Sequence, residues 1–341
     1  MSPCAGDLIL GLETSCDDTC AAVVTFDGDV RSNVISSQGI HDAYGGVVPE
    51  IASRHHLELA NAAVDDALRR AGATLDDIGL VAVTQGPGLV GALLVGVATA
   101  KAIAAARALP LAAVDHLQGH VAANFLRVAG AAETVLEPPF VCLLASGGHT
   151  LLARVDDHAT FTVLGRTLDD AAGEAFDKGA RLLGLPFPGG PALERLARDG
   201  DPHAFTFPVA RGLDGLDFSF AGVKTALLYR VRDLGDDAAA HHADLAASYQ
   251  HAIVAALAVR CERALLESGG DRLAIGGGVA ANGPLRERLA QLDGVTLGIP
   301  ERALCTDNAA MIASAARFTE AQPFPDYLAL DAYASGERAL A

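Results

Sequence analysis

The sequence predicts an α/β protein built from two copies of one folding unit. Segments 8–28 and 140–157 share one pattern, in which an apolar strand, a turn of small polar residues and a second apolar strand form a hairpin. After each hairpin come another β-like run, helical stretches, a strand and a further helix. The chain has 341 residues, and 51% of them are hydrophobic, which suffices for two packed cores. The repeated order of elements indicates an internal duplication.

The individual elements follow from local patterns. In the first copy we expect a third strand at 30–38, a helix at 50–71, a strand at 79–84 and a glycine-bounded helix from Gly88. In the second copy we expect a strand at 160–164, then helices, then the strand "RLAIGGG" and a last helix.

The domain boundary is predicted at the Pro/Glu-rich stretch 133–139. We therefore expect an N-terminal lobe over 1–135, joined by a C-terminal helix at about 306–325. A C-terminal lobe over 136–305 would carry a helical insertion at about 166–250. Two such lobes predict a cleft, with helix N-termini suited to a phosphate in its walls.

Composition excludes several classes of protein. The formal net charge of −17 argues against a generally basic nucleic-acid coat. The start "MSPCAGDLIL" lacks the basic and apolar regions of a signal peptide. The apolar stretch around Lys101 resembles a short membrane span, but its length and charge favour a buried helix. Six cysteines without CxxC spacing are typical of free thiols in a reducing cytoplasm.

The motif "DHLQGH" places His116 and His120 four residues apart, on one face of a predicted helix. Such a pair is structural about as often as it binds a metal. Asp307, in "CTDNAAMIA", either caps a helix or completes a site of two histidines and one carboxylate, a set used with iron(II) and zinc. Leu117 stands where an H-E-x-x-H protease needs its glutamate, which weakens that alternative.

Two glycine-rich turns are candidate ligand sites. "ASGGHT" at 145–150 allows an anion to approach the backbone closely, but it also suits a plain hairpin turn. "AIGGGVAANGPLRERL" at 274–289 puts glycines between a strand and a helix, with Asn282 as an amide donor and acceptor.

A third segment, 168–197, combines charges on an expected helix with the rigid turn "PFPGGP". The charges are those of a solvated helix face or of a pocket wall, and the turn is typical of a loop that lines a pocket. The charged residues are Asp169, Asp170, Glu174, Asp177 and Lys178.

Taken together, the motifs resemble the bacterial tRNA N6-adenosine threonylcarbamoyltransferase family (TsaD family), formerly called O-sialoglycoprotein endopeptidase. The resemblance covers about 8–320 and is carried by "LGLETSCDDT", "GGVVPEIASRHH", "GPGLVGALLVG", "DHLQGH", "ASGGHT", "GEAFDKGARLLGLPFPGGP", "FSFAGVKTAL", "GGGVAAN" and "CTDNAAMIA". It implies two RNase H-like lobes of the actin-like, sugar-kinase and Hsp70 (ASKHA) type around a central cleft. It also implies transfer of threonylcarbamoyl from threonylcarbamoyl-AMP to the exocyclic amine of adenosine 37, in tRNAs that read codons starting with A.

The resemblance assigns site residues by position. It implies one divalent metal ion per subunit, Fe(2+) or alternatively Zn(2+), on His116, His120 and Asp307. It implies that the intermediate is bound by Leu144, Ala145, Ser146, Gly147, Gly148, Asp177, Gly190 and Asn282. Glu194 stands where the family often has an aspartate that contacts a ribose hydroxyl, and its side chain is one methylene longer. No residue is assigned as the catalytic group; Asp17 and Asp18 are candidates for orienting the ligand or deprotonating the amine.

The resemblance also implies partners: tRNA, an inactive paralogue (TsaB-like) and a small ATPase (TsaE-like), in the cytoplasm and without a membrane. The helical stretch from Gly88 would pack on the paralogue, or be an internal core helix. Two other functions share parts of the pattern. A kinase-like ATPase of the same fold would not need the histidine pair, and a metalloprotease would lack its glutamate.

Overall fold

The computed structural model describes residues 6–130, 136–209 and 215–334. Its contacts divide the chain into two compact units. Unit 1 comprises Met1–Glu137, Asp157–Thr160 and Asp307–Ala341, and unit 2 comprises Pro138–Asp156 and Phe161–Thr306. The short piece 157–160 returns to unit 1 from within a hairpin of unit 2, which the sequence did not indicate.

Unit 1 is built on one five-stranded mixed sheet in the order β3-β2-β1-β4-β5. The strands β1, β2 and β3 form an antiparallel meander, while β4 and β5 run parallel to β1. The elements of the unit are β1 (Leu8–Glu13), β2 (Asp18–Thr25), β3 (Val30–Ser37), α1 (Pro49–Ala71), β4 (Ile78–Gly86), α2 (Val90–Arg107), β5 (Leu111–Asp115), α3 (His116–Ala122) and, near the C-terminus, α10 (Ala309–Ala316).

Unit 2 has a second five-stranded sheet in the order β10-β9-β6-β7-β8. Its first three strands are again an antiparallel meander, and β9 and β10 again run parallel to the first strand. The elements are β6 (Phe140–Ala145), β7 (Thr150–Val155), β8 (Phe161–Arg166), α4 (Ala172–Leu182), α5 (Gly189–Ala197), α6 (Ala221–Leu234), α7 (His242–Ser268), β9 (Arg272–Gly276), α8 (Gly283–Ala290), β10 (Thr296–Gly298) and α9 (Arg302–Cys305).

The two sheets have the same topology, which confirms the predicted duplication and the α/β fold class. In both, the central strand is an almost continuous apolar run, "LILGLE" in β1 and "FVCLLA" in β6, and nearly every residue of it is buried. Strands buried on both faces require such runs, because helices cover each side of a parallel pair. The polar turns that follow β1 and β6 therefore come at equivalent edges of the two sheets.

The helix α2 is long and apolar enough to span a membrane by length and composition. One of its faces is buried in unit 1 through residues such as Leu93 and Val97, as in a core helix. Lys101 donates hydrogen bonds to the carbonyls of Leu328 and Leu330. Val90 and Leu94 are exposed, so an apolar edge remains on the surface.

Two local expectations were wrong. Asp169 and Asp170 precede α4 rather than lying on it, and their carboxylates accept hydrogen bonds from the segment 219–224. The C-terminal helix expected at about 306–325 is much shorter, since α10 spans only Ala309–Ala316 and ends at Arg317. In the "PFPGGP" turn, α5 already begins at Gly189, with Pro188 as its N-cap residue. A proline is well tolerated there and in the first turn of a helix, where N–H groups have no intrahelical partner.

Candidate functional site

A strand-to-helix junction in unit 1 presents the two histidines. Asp115 ends β5, and its Oδ1 accepts hydrogen bonds from the N–H groups of Leu117 (2.8 Å) and Gln118 (3.1 Å). This N-cap starts α3 directly at the end of the strand. His116 and His120 are consequently one turn apart and both are buried.

The third candidate ligand, Asp307, lies near the C-terminal end of the chain. Asn308, not Asp307, caps α10, because its Oδ1 accepts the N–H of Met311 at 3.0 Å. The capping alternative for Asp307 is therefore wrong, and its carboxylate is available for another role. It lies with Oδ1 3.5 Å from Nε2 of His116 and 3.2 Å from Nε2 of His120.

These three side chains form one compact cluster. One ligand atom from each lies within 4.8 Å of the others, and the two imidazole rings meet edge to face with centroids 4.7 Å apart. The histidine side chains are 8% and 2% exposed, whereas Asp307 is 24% exposed and gives the cluster access to solvent. Among the described residues, this is the group of histidine, cysteine and carboxylate side chains with the spacing of a metal site.

The hydrogen bonds around the cluster fit a metal ion. Both ring nitrogens of His120 are buried and have no hydrogen-bond partner among the described residues, although Nε2 is close to Asp307. A buried polar atom without a partner costs about 1–3 kcal/mol, so a structural histidine would normally be paired. His116 is held on the opposite side of its ring, where Nδ1 lies 2.9 Å from Oε2 of Glu13. Its Nε2 is thereby turned towards Asp307.

The electrostatics of the cluster favour a positive charge. Burial lowers the pKa of His116, but Asp307 and Glu13 outweigh burial and raise it well above its usual value. Burial raises the pKa of Asp307, but His116 and His120 hold it well below its usual range. A metal cation would supply the same positive charge, and its binding would release the proton of His116.

In unit 2, the predicted phosphate turn follows β6. Leu144 and Ala145 are buried at the end of that strand, and Gly147 and Gly148 are exposed at the tip. The N–H groups of these two glycines have no partner among the described residues. A Cβ placed on either glycine would meet nothing within 4 Å, so the tip borders open space.

The neighbouring backbone keeps this turn close to α4 and to the glycines after β9. The carbonyl of Ser146 accepts the N–H of Gly173 at 3.0 Å, at the start of α4. Gly277 has φ +83°, and a Cβ there would collide with the carbonyl oxygen of Ala145. A glycine is therefore required at 277 both by conformation and by packing.

Asp177 and Gly190, predicted as ligand contacts, are hydrogen-bonded to each other. Oδ1 of Asp177 accepts the N–H groups of Gly189 at 2.8 Å and Gly190 at 3.3 Å. Burial raises the pKa of Asp177, although the two N–H groups oppose that shift. The carboxylate thus fixes the "PFPGGP" loop against α4.

Asn282 is also held by protein groups. Its amide donates to Glu194 at 3.0 Å and to Gln250 at 2.9 Å, while its Oδ1 accepts the N–H of Leu285. A ligand contact from Asn282 would therefore use the second lone pair of Oδ1. Glu194 reaches Asn282 and the Gly283 N–H, so its longer side chain is engaged within unit 2.

Sequence reasoning missed two buried polar residues, Glu13 and Gln250. Each interrupts an apolar run, in "LILGLE" and "ASYQHAIVAAL", and that interruption is the signal that would have found them. Asp17 lies in the turn after β1 and Asp18 is the first residue of β2, and each is partly buried. Burial raises the pKa of Asp18 to about 6, and a hydrogen bond to Ser37 opposes the shift.

Comparison with known proteins identifies the family. The family described as tRNA N6-adenosine threonylcarbamoyltransferase (TsaD) has a model that matches residues 29–314. The chain is 53% identical over 312 residues to the tRNA N6-adenosine threonylcarbamoyltransferase of Symbiobacterium thermophilum, with 90% of both chains covered. It is 50% identical over 317 residues to that of Clostridium perfringens, covering 91% of this chain and 92% of the relative.

Solved structures show the same fold at low identity. Component A of the (R)-2-hydroxyglutaryl-CoA dehydratase of Acidaminococcus fermentans superposes with a TM-score of 0.55 at 14% identity, covering 92% of this chain and 97% of its own. Full-length HypF superposes with a TM-score of 0.59 at 13% identity, covering 98% of this chain and 48% of its own. On the sequence matches, which span nine-tenths of its length, the chain belongs to the tRNA N6-adenosine threonylcarbamoyltransferase family.

Proposed function

We propose that the chain transfers a threonylcarbamoyl group to the exocyclic N6 amine of an adenosine in tRNA, the reaction for which its family is named. We take threonylcarbamoyl-AMP as the donor and adenosine 37, in tRNAs that read codons starting with A, as the acceptor. The observation that carries the proposal is the cluster of His116, His120 and Asp307 in a chain that matches this family over 90% of its length. A kinase-like ATPase would have no use for such a cluster.

We propose that the cluster holds one iron(II) ion, with zinc as the alternative. Two imidazoles and one carboxylate are a common ligand set for both and leave coordination positions open. The unpaired nitrogens of His120 and the partly exposed carboxylate of Asp307 support this assignment. When bound, such an ion supplies a Lewis acid that polarises an oxygen of the threonylcarbamoyl group.

The turn after β6 is the proposed site for the adenylate phosphate. Gly147 and Gly148 offer unpaired N–H groups at an exposed tip, and backbone N–H groups are good ligands for a phosphate oxygen. Leu144, Ala145 and Ser146 shape the turn. Asp177, Gly190 and Asn282 position the ribose and base. Asp177 holds Gly190 through the glycine N–H, and Asn282 is held by Glu194 and Gln250.

The attacking group is an exocyclic adenine amine, which is a poor nucleophile. Orientation should therefore supply much of the rate acceleration. Asp18 has a pKa of about 6, close to the value of an efficient general base at neutral pH. We assign to Asp17 and Asp18 the orientation or deprotonation of the amine.

The proposed partners are an inactive TsaB-like paralogue and a small TsaE-like ATPase, in the cytoplasm. The helices α1 and α2 expose Leu57, Val90 and Leu94, and such an apolar edge suits a helical interface. The net charge of −17 is unfavourable for tRNA binding by this chain alone. We therefore propose that the partner proteins contribute part of the tRNA-binding surface. The described cysteines are free thiols, as is usual for cytoplasmic proteins.

A reconstituted assay tests the function. The chain, with a bacterial paralogue and ATPase, is incubated with threonylcarbamoyl-AMP and a tRNA transcript, and the modified nucleoside is measured by mass spectrometry. Wild type should form the product, and His116→Ala should reduce it to background. Gln118→Ala is the matched control on the same helix, because the side chain of Gln118 donates to the carbonyl of His158 instead of joining the cluster.

Absence of the modified nucleoside with wild type would refute the proposed reaction. Full activity of His116→Ala would refute the role of the metal while leaving the reaction itself intact. Elemental analysis of protein purified without chelator distinguishes iron from zinc.

A further inference from the structure

A buried carboxylate lies behind the proposed metal cluster, on the side of His116 that faces away from Asp307. Glu13 is the last residue of β1 and is 0% exposed. Its Oε1 accepts the N–H of Ser15, and its Oε2 accepts the hydroxyl of Thr84 at 2.6 Å. The same Oε2 lies 2.9 Å from Nδ1 of His116. Three elements of unit 1 thus meet on one carboxylate.

This arrangement determines which nitrogen of His116 carries a proton. An ionised carboxylate can only accept hydrogen bonds, so the proton between it and the imidazole lies on Nδ1. A neutral imidazole has one N–H, and Nε2 then carries a lone pair. That lone pair is directed towards Asp307, whose Oδ1 is 3.5 Å away. Nε2 and Oδ1 therefore need a positive charge between them, which is a proton in the metal-free chain and the metal ion once that proton is released.

We propose that Glu13 is a positioning residue for the metal centre, which holds the Nδ1–H tautomer of His116 and keeps Nε2 free to bind the ion. The proposal rests on the metal centre put forward under the proposed function. Carboxylate–histidine–metal arrangements of this kind fix the ring and raise the basicity of the ligand, and their loss typically costs about 10–100-fold in metal affinity.

The substitution Glu13→Gln changes this geometry in a defined way. The Ser15 N–H is a fixed backbone donor, so the amide oxygen of glutamine should occupy the place of Oε1. The amide NH₂ then takes the place of Oε2 and donates to Nδ1 of His116. His116 is forced into its Nε2–H tautomer, in which Nε2 cannot bind a metal.

Zinc affinity is the direct measurement. We expect Glu13→Gln to bind Zn²⁺ about 10–100-fold more weakly than wild type, in competition with a chelating dye. Thr84→Val is the matched control, because it removes the other hydrogen bond to Oε2 without touching His116. Its affinity should stay within about threefold of wild type, whereas a merely structural Glu13 predicts that the two variants weaken binding alike.

A second measurement uses the wild-type protein alone and does not depend on the folding of a variant. In ¹⁵N-histidine NMR spectra of the zinc-loaded chain, His116 should show a protonated Nδ1 in slow exchange with water. An unprotonated Nδ1, or a Glu13→Gln variant that binds Zn²⁺ as wild type does, would overturn the inference about Glu13 alone. Failure of wild type to bind Zn²⁺ or Fe²⁺ stoichiometrically would overturn the metal centre and this inference together.

Discussion

His120 should destabilise the metal-free protein, and its replacement by leucine should reveal this. Nδ1 of its ring is buried without a hydrogen-bond partner, which costs about 1–3 kcal/mol, while Nε2 lies 3.2 Å from Oδ1 of Asp307. Leucine has a similar volume and no polar atom. Shape differences of this kind usually cost less than about 1.5 kcal/mol. We therefore expect His120→Leu to raise the free energy of unfolding of the metal-free chain by about 1 kcal/mol.

When metal is present, wild type should become more stable than His120→Leu. An ion that binds only the folded state adds RT ln(1 + [L]/Kd), which is about 2.7 kcal/mol at one hundred times Kd. Wild type should gain this increment, and His120→Leu should gain almost none. Urea denaturation with a chelator, and again with excess Zn²⁺, gives both values.

His41 provides a matched control, because it is an equally buried histidine whose ring nitrogens are both paired. Nε2 lies 3.1 Å from Oε1 of Gln38, and Nδ1 accepts the N–H of Val48 at 3.3 Å. His41→Leu leaves those two groups without partners and should destabilise the chain by about 1–3 kcal/mol. If His120→Leu destabilises the metal-free chain as His41→Leu does, His120 is an ordinary structural histidine and the fit of the site to a metal is lost.

Three further perturbations have defined outcomes. Burial raises the pKa of Asp18 from an ordinary 3.8 to about 6, so the folded state binds this proton more tightly than the unfolded state does. The free energy of unfolding should therefore fall as the pH rises from about 4 to 6. Asp18→Asn should remove this slope, worth roughly 3 kcal/mol, in urea denaturation across that pH range; an unchanged slope would show that another group titrates. Gly179→Ala should cost at least about 2 kcal/mol, because the new Cβ would collide with the ring of Tyr249; a loss below about 0.5 kcal/mol in the same assay would mean that the ring moves aside. Tyr333→Phe removes a 2.6 Å hydrogen bond from the hydroxyl to Oδ2 of Asp115 and should lower stability by about 1 kcal/mol, with no change expected if solvent replaces the bond fully.

Much of the fold could be predicted because it is encoded in short-range patterns. The hairpin of Leu8–Glu13 and Asp18–Thr25 is visible as two apolar runs around a polar turn, and α1 as a long helical period ending at Gly72. The charges of "LDDAAGEAFDKG" suggested a helix that includes Asp169 and Asp170. Both residues instead precede α4, because their carboxylates bind partners about fifty residues away. Helix propensity does not contain such contacts.

The duplicated α/β pattern, the family motifs and the one-turn spacing of His116 and His120 can all be read from the sequence, since each depends on residues close together along the chain. Three features of the site are visible only in the folded chain: Asn308 rather than Asp307 caps α10, Asp307 lies next to both imidazoles, and Glu13 lies behind His116. Asp307 and Asn308 are neighbours that compete for one helix end. The contacts of Glu13 and Asp307 with the histidines, in contrast, join residues 103 to 191 positions apart. Their geometry depends on how β1, β5 and α10 pack, a long-range property that no local period specifies.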